Sequence, residues 1–306
     1  MEKGKYNILI LIVDYIIQGK NGGKICIVYN DEDYMLKFPA INQGLAEHGY
    51  SNSCVSEYIA CNIIKTLGLK VQDTLLGTYS LNGVEKVVVA CKDFTTPKKI
   101  FKQFAELKNS QIETSKNGYG TDLDEVIETI EAQQIYDVCE LKKFFWDMFI
   151  ADCLVGNFDR HNGNWGFLIN EELQKVEIAP IYDCGSCLYP QLTDEKISDI
   201  INETSELEAR VYVFPTSALK KENKKINYFD YISSLENEDC NESLKRIYPI
   251  INIEKINEVI ENTPSISDIR KEFYKKIILL RYERILKYSY EKLIGTLGTG
   301  LNVHLS

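Results

Sequence analysis

Three polar side chains in one short stretch could do chemistry together. Gly156-Asn-Phe-Asp159-Arg160-His161-Asn162-Gly163-Asn164-Trp165 follows an apolar helical pattern, and Ala179-Pro-Ile-Tyr-Asp183 comes soon after. Asp159 is a carboxylate in a loop, Asn164 is an amide five residues on, and Asp183 is a second carboxylate. Between the last two lie apolar segments at 165–169 and 175–179 that read as a short hairpin. A hairpin returns the chain to where it began, so Asp183 is expected beside Asn164 although nineteen residues separate them. Two oxygen donors and a free carboxylate at one point suit a hard cation. Mg²⁺ keeps waters and takes one or two protein oxygens together with phosphate oxygens. Asp and Asn also cap turns, and either residue alone would be read that way. All three at this spacing, after a helix and around a hairpin, favour a metal and phosphate site.

The spacing of five from carboxylate to amide is that of a protein-kinase catalytic loop, where the Asp orients the acceptor hydroxyl and the Asn holds a metal. Phosphoryl transfer then asks for groups upstream. Gly19-Lys20-Asn21-Gly22-Gly23 precedes the first strand pair, and such glycines let backbone N–H groups approach phosphates. Alone this is a weak signal. Lys37, in Tyr34-Met-Leu-Lys37-Phe38, is placed as a phosphate-pairing lysine, and Glu57 on the following helix is its expected partner. The apolar run 87–91 leads into Asp93 and Phe94, a hinge where main-chain groups can meet an adenine edge. His161, two residues after the expected base, either approaches the transferred phosphate or braces the loop, and bracing is the favoured reading.

These groups need a scaffold. Residues 24–29 and 34–38 alternate around the turn cluster at 30–33, and residues 75–81 and 84–90 form a second hairpin around Asn82-Gly83. Between them, Val55, Ile59, Ile63 and Leu67 recur at helical spacing, with Gly68 at the C-terminal stop. Residues 39–52 and 109–121 read as loops. The segment from Pro97 reads as helical and charged, residues 141–155 as a helix stopped by Gly156, and the chain from 195 onward as mainly helical. The expectation is an α+β protein. A small β-rich lobe with one helix spans residues 1–92, and a larger helical lobe spans 93–306 with a hairpin inserted.

Asp159-Arg-His-x-x-Asn164 with Ala179-Pro-Ile-Tyr-Asp183 resembles the HipA-like serine/threonine kinases, and the strand through Lys37 to Pro39 fits their nucleotide lysine. The likeness continues through Phe214-Pro-Thr-Ser-Ala218 and Arg281-Tyr-Glu-Arg284, covering about residues 18–290. The resemblance implies a bilobal kinase-like fold and Ser/Thr phosphorylation of a protein substrate, with ATP and Mg²⁺ as cofactors. It assigns Asp159 as catalytic base with His161 beside it, and Asn164 and Asp183 as metal ligands. Gly19, Gly22, Gly23, Lys37, Glu57, Asp93 and Phe94 are the nucleotide-binding groups. The family includes toxins of bacterial toxin–antitoxin systems, so an antitoxin is a candidate partner. Two departures follow. About 18 residues precede the Gly-rich segment, too few for the extra N-terminal subdomain of longer members. No Ser or Thr lies between Asp14 and Tyr50, so self-silencing there is not expected; Ser51 and Ser53 stand just beyond.

Composition narrows the rest. The 306 residues carry a net charge of −10, which argues against direct DNA binding or an anionic membrane surface. Nine cysteines, mostly within apolar runs, read as reduced thiols of a cytoplasmic protein. Cys184-Gly-Ser-Cys187 has CxxC spacing, but a lone pair cannot complete a zinc site. The apolar run 8–13 is cut by Asp14, too short for a leader or a membrane span. The basic stretch 270–292 reads as a helix with one face in the core. Alternative readings are a phosphoinositide-kinase-like lipid kinase and a catalytically inactive binding module.

Overall fold

Alternating side chains early in the chain pair into one antiparallel sheet, seen in a computed structural model that describes residues 17–19, 22–39, 52–81, 84–111 and 117–301. Its strands are β1 (Ile17–Gly19), β2 (Gly22–Tyr29), β3 (Glu32–Lys37), β4 (Thr74–Leu81) and β5 (Val84–Lys92), in the order β1-β2-β3-β5-β4. Asn30 and Asp31, at φ +50° and +60°, make the two-residue turn that sets Tyr29 opposite Glu32. The expected turn at Asn82-Gly83 lies outside the described residues; Leu81 and Val84 face each other across it. β5 is apolar without interruption from Val87 to Cys91, where both its faces are covered. Val88 and Ala90 join Ile25, Ile27, Leu36 and Tyr79 in a small outer core. Val89 and Cys91 face the other way, toward α1 (Ser53–Thr66). Helix α1 buries Val55, Ile59 and Ile63, and the chain leaves it through Gly68 at φ +73°.

The segment from Pro97 is not helical at first. It forms β6 (Ile100–Gln103), which pairs with β7 (Gly166–Asn170), itself paired with β8 (Lys175–Ile178). The expected hairpin is thus the far part of a three-stranded sheet. Gly166 permits this pairing: a Cβ there would stand 2.1 Å from the Lys102 carbonyl oxygen. Helices then dominate: α2 (Phe104–Gln111), α3 (Leu123–Ala132), α4 (Val138–Val155), α5 (Asp194–Ile201) and α6 (Thr204–Tyr212). A second departure from the expected helices is a tight hairpin, β9 (Lys220–Lys221) and β10 (Lys224–Lys225). The remaining helices are α7 (Tyr228–Ser234), α8 (Glu238–Ile247), α9 (Ile253–Glu261), α10 (Asp268–Arg281) and α11 (Tyr288–Leu301), with a π-helical turn between the last two.

One continuous core runs from α1 through α4 to α10, including Ile59, Ile63, Trp146, Leu154, Phe273 and Ile277. The basic stretch 270–292 lends two of its arginines to this interior. Arg281 Nε donates to the Cys153 carbonyl at 2.6 Å, and Arg270 Nη2 to Asp194 Oδ1 at 2.6 Å. All nine cysteines are free thiols, and seven are buried. Among the described residues no helix is long and apolar enough to cross a membrane.

Candidate active site

Helix α4 delivers the loop that holds Asp159. It ends at Gly156, φ +67°, where a Cβ would also crowd Pro215 at 3.1 Å. The chain turns there, and Asn157 N–H donates back to the Asp152 carbonyl at 2.9 Å. The Asp152 carboxylate, buried in the last turns of α4, is the anchor. It accepts Arg160 Nε at 2.9 Å, Arg160 Nη2 at 3.1 Å and Asn157 Nδ2 at 2.9 Å. Arg160 Nη1 donates to the carbonyls of Asn164, at 2.9 Å, and Tyr182. One buried guanidinium therefore binds the loop after α4 to the segment after β8, and brings Asn164 and Asp183 to one place. Burial opposes charge on Arg160, but Asp152 overrides it and holds the group well above its ordinary pKa.

The main chain around Asp159 is committed and its carboxylate is left open. Asp159 N–H donates to Asn157 Oδ1 at 3.0 Å, and its carbonyl accepts His161 N–H at 2.8 Å and Asn164 Nδ2 at 2.9 Å. Partial burial raises the Asp159 carboxyl above its ordinary pKa, and the neighbouring His161 ring pulls against the shift. His161 Nδ1 accepts the Gly163 N–H at 3.0 Å, so the ring braces the turn between Asp159 and Asn164. With Asn164 Nδ2 occupied, Asn164 Oδ1 is open: no donor meets it among the described residues.

The β-rich side supplies the cation. Strand alternation sends Leu36 into the outer core and Lys37 the opposite way, toward α1. Lys37 Nζ lies 2.7 and 3.0 Å from the two oxygens of Glu57, and 3.1 Å from Asp183 Oδ1. Asp183 stands at φ +57°, a conformation Asp tolerates, and its side chain remains 44% exposed. Against the effect of burial, Lys37 holds the Asp183 carboxyl below the usual carboxylate range. The two carboxylates in turn hold Lys37 well above its ordinary pKa, although burial alone would lower it.

Among the described residues no three or more His, Cys, Asp or Glu side chains form a metal cage. Asn164 Oδ1 and Asp183 Oδ2 are two open hard oxygens, which fits Mg²⁺ completed by phosphate and water. Gly19 and Gly22 face each other across the β1–β2 hairpin, Gly23 faces Gln18, and Lys20 and Asn21 lie outside the described residues. At the hinge, Asp93 is turned to local structure. Its N–H donates to the Asp33 carbonyl at 2.8 Å and its carboxylate caps Thr95 at 2.7 Å. The Asp93 N–H is therefore not open to a nucleotide base. The Phe94 ring packs on Phe101 and Tyr182, with centroids 5.5 and 5.7 Å away, forming an aromatic wall that ends at Asp183.

Lys24, Lys37, Glu57, Asp159 and Asp183 line one cleft of about 260 Å³. An apolar pocket of about 280 Å³, lined by Tyr189, Val213 and Phe214 among others, adjoins it and shares Phe158 and Pro190. Asp152, Asn157 and Tyr182 were not legible as site residues. The one available signal was a carboxylate inside an otherwise apolar stretch of helix at 148–155.

Comparison with known proteins identifies the family. The model of the HipA-like C-terminal domain matches residues 20–263. The serine/threonine-protein kinase CtkA of Helicobacter pylori is 49% identical over 277 residues, 90% of this chain and 84% of that protein. The crystal structure of the H. pylori proinflammatory kinase CtkA aligns with a TM-score of 0.83 at 48% identity, over 89% of this chain and 94% of that one. A chain of the Shewanella oneidensis MR-1 toxin–antitoxin complex of HipA, HipB and operator DNA shares the fold, with a TM-score of 0.56 at 17% identity over 90% of this chain and 68% of that one. The motif around Asp159 and Asp183, the two-lobed architecture and the family match over most of the length point one way: the chain belongs to the HipA-like C-terminal domain family and is a bilobal HipA-like protein kinase.

Proposed function

We propose that this chain phosphorylates Ser or Thr of a protein substrate, using ATP and Mg²⁺. The observation that carries the reading is Lys37 bridging Glu57 and Asp183, at 2.7 and 3.1 Å, in the same cleft as Asp159. The lysine–glutamate pair and the metal aspartate must both be in place for phosphoryl transfer by a protein kinase. Lys37, kept charged by two carboxylates, binds phosphate oxygens of the nucleotide. Asn164 and Asp183 would hold the metal, which when bound would neutralise charge on the phosphates. Asp159 orients the acceptor hydroxyl and takes its proton, while His161 keeps the loop in shape. The glycines of the β1–β2 hairpin offer main-chain donors to the phosphates. Phe94 and Tyr182 together form one wall beside the base, and the Phe94 main chain meets its edge. A lobe boundary near residue 92 puts these two sets of groups on opposite walls of the cleft, and free thiols suit action in a reducing cytosol.

The test is transfer of labelled phosphate from ATP, with Mg²⁺, to the chain itself or to added protein. Asp159→Ala is expected to lower kcat by about a hundredfold to ten-thousandfold, Asp183→Ala is expected to abolish Mg²⁺-dependent transfer, and Lys37→Ala to weaken ATP binding. Transfer that persists in both aspartate variants overturns the assignment, and transfer to phosphatidylinositol alone favours a lipid kinase. A toxin role is a separate proposal with its own readout: the wild type arrests growth of a bacterial host on expression, and Asp159→Ala does not.

A further inference from the structure

The β9–β10 hairpin supplies none of the groups assigned to the site described above, and its charges are arranged at a cost to its own stability. It reads Lys220-Lys221-Glu222-Asn223-Lys224-Lys225. The register sets Lys221 opposite Lys224 and Lys220 opposite Lys225. Like charges directly opposite in an antiparallel pair destabilise it. Among the described residues none of these four ammonium groups lies within ion-pair distance of a carboxylate. Carboxylates are not scarce in the molecule, which has 45 acidic against 35 basic side chains. Four unpaired lysines on two short strands are therefore a local property, and it calls for an anionic partner.

The hairpin is held firmly, and held to the catalytic loop. Glu222 and Asn223, at φ +52° and +63°, form its two-residue turn. Ser217 N–H donates to the Ile226 carbonyl at 2.8 Å, Ile226 N–H to Leu219 at 2.9 Å, and Lys220 N–H to Thr121 at 2.8 Å. Just beyond, the buried Tyr228 hydroxyl donates to the Asn157 carbonyl at 2.7 Å. Asn157 is the residue whose side chain accepts the Asp159 N–H. Lys225 lies near enough to act on the Asp159 carboxyl, which its positive charge lowers. The same segment exposes Val213 and Phe214 on the apolar pocket, with Phe214 5.7 Å from the Phe158 ring.

We propose that the β9–β10 hairpin docks an acidic segment of the protein substrate, beside the Ser or Thr that Asp159 orients. The proposal rests on the protein-kinase reading and names the class of sequence that site accepts. A protein segment is favoured over a nucleic acid because the chain leading into the hairpin lines an apolar pocket with Val213 and Phe214, and the cleft that shares Phe158 with that pocket holds the Asp159 carboxylate. A segment mixing acidic and apolar side chains matches that face, whereas a continuous polyanion would lay phosphates across the pocket and against Asp159.

The experiment uses the full chain and labelled peptides of equal length, with Ala at the acceptor position and flanks that are acidic, neutral or basic. By fluorescence anisotropy at low salt, the acidic peptide is expected to bind about tenfold tighter than the neutral one, the sum of a few exposed ion pairs. Raised salt should erase the difference. Lys221→Glu with Lys224→Glu keeps a like-charge pair across the strands and should reverse the order, so that the basic peptide binds best. Lys221→Glu alone creates an opposite-charge pair, and should raise Tm while weakening the acidic peptide, an outcome that misfolding cannot imitate. Equal affinity for all three peptides overturns the proposal. So does an unchanged order in the double variant, or displacement of the acidic peptide by a lower concentration of single-stranded RNA of equal length. Matching peptides with Ser at the acceptor separate the two levels. Transfer indifferent to flank charge defeats the docking site and leaves the kinase reading standing. Hairpin-dependent binding of the acidic peptide without transfer to any peptide does the opposite.

Discussion

Arg160 and Asp152 are the pair on which the site geometry turns. Both are buried, and between them they fix the loop of Asp159, the carbonyl of Asn164 and the carbonyl before Asp183. Removing one partner of a buried ion pair leaves an uncompensated charge, which costs about 3–5 kcal/mol. Asp152→Ala should therefore lower unfolding free energy by about that amount in urea titration. Replacing both, as Asp152→Leu with Arg160→Met, should restore much of the stability, because no charge is left unpaired. It should not restore phosphate transfer, because the guanidinium that ties the Asn164 carbonyl to the Tyr182 carbonyl is then gone. A double variant that recovers stability and full transfer would show that the pair only packs.

At the scale of elements, the end of α4 decides where the loop starts. Gly156 has a left-handed backbone, and Pro215 stands against the place a side chain would occupy. Gly156→Ala is expected to lower stability by about 1–2 kcal/mol through the backbone conformation alone, with loss of transfer as the loop shifts. Thermal melts and initial rates check both. Two of the elements that sequence reasoning missed, β6 and the β9–β10 hairpin, share a cause. β6 has four residues, and its partner β7 lies more than sixty positions away. β9 and β10 have two residues each, all lysine. A four-residue alternation barely registers as a period, and lysine carries no strand propensity to signal one. Pairing and turn geometry supply what the local pattern lacks. Where the pattern was long, as in β2, β5, α1 and α4, expected and observed elements agree within a few residues.

Over the whole molecule, burial is unevenly shared. The outer face of the five-stranded sheet is sealed by six buried residues, while the other face opens into a core that runs to α10. Local openings are cheapest where few apolar contacts must break. Amides of β2 and β3 should therefore exchange with solvent well before those of α1 and α4, and hydrogen exchange read by mass spectrometry checks this. Equal protection in both places would mean that the sheet opens only with the rest of the molecule. The change of element type after Lys92 is visible in the sequence, yet the core crosses it through α1, because a helix covering a sheet must bury its second side against something else.

The sequence by itself determined the element types of the long segments and singled out Lys37, Glu57, Asp159, Asn164 and Asp183 as one candidate set, of which Lys37, Glu57, Asp159 and Asp183 line one cleft. Residue type and spacing along a loop or strand carry that information directly. Only the tertiary structure decided that Lys37 touches both carboxylates, that Arg160 is the tie between two distant segments, and that Asp93 spends its N–H on Asp33. Such facts depend on which backbone groups come within 3 Å after packing. A buried polar group must find a partner somewhere, but the chain alone does not say which.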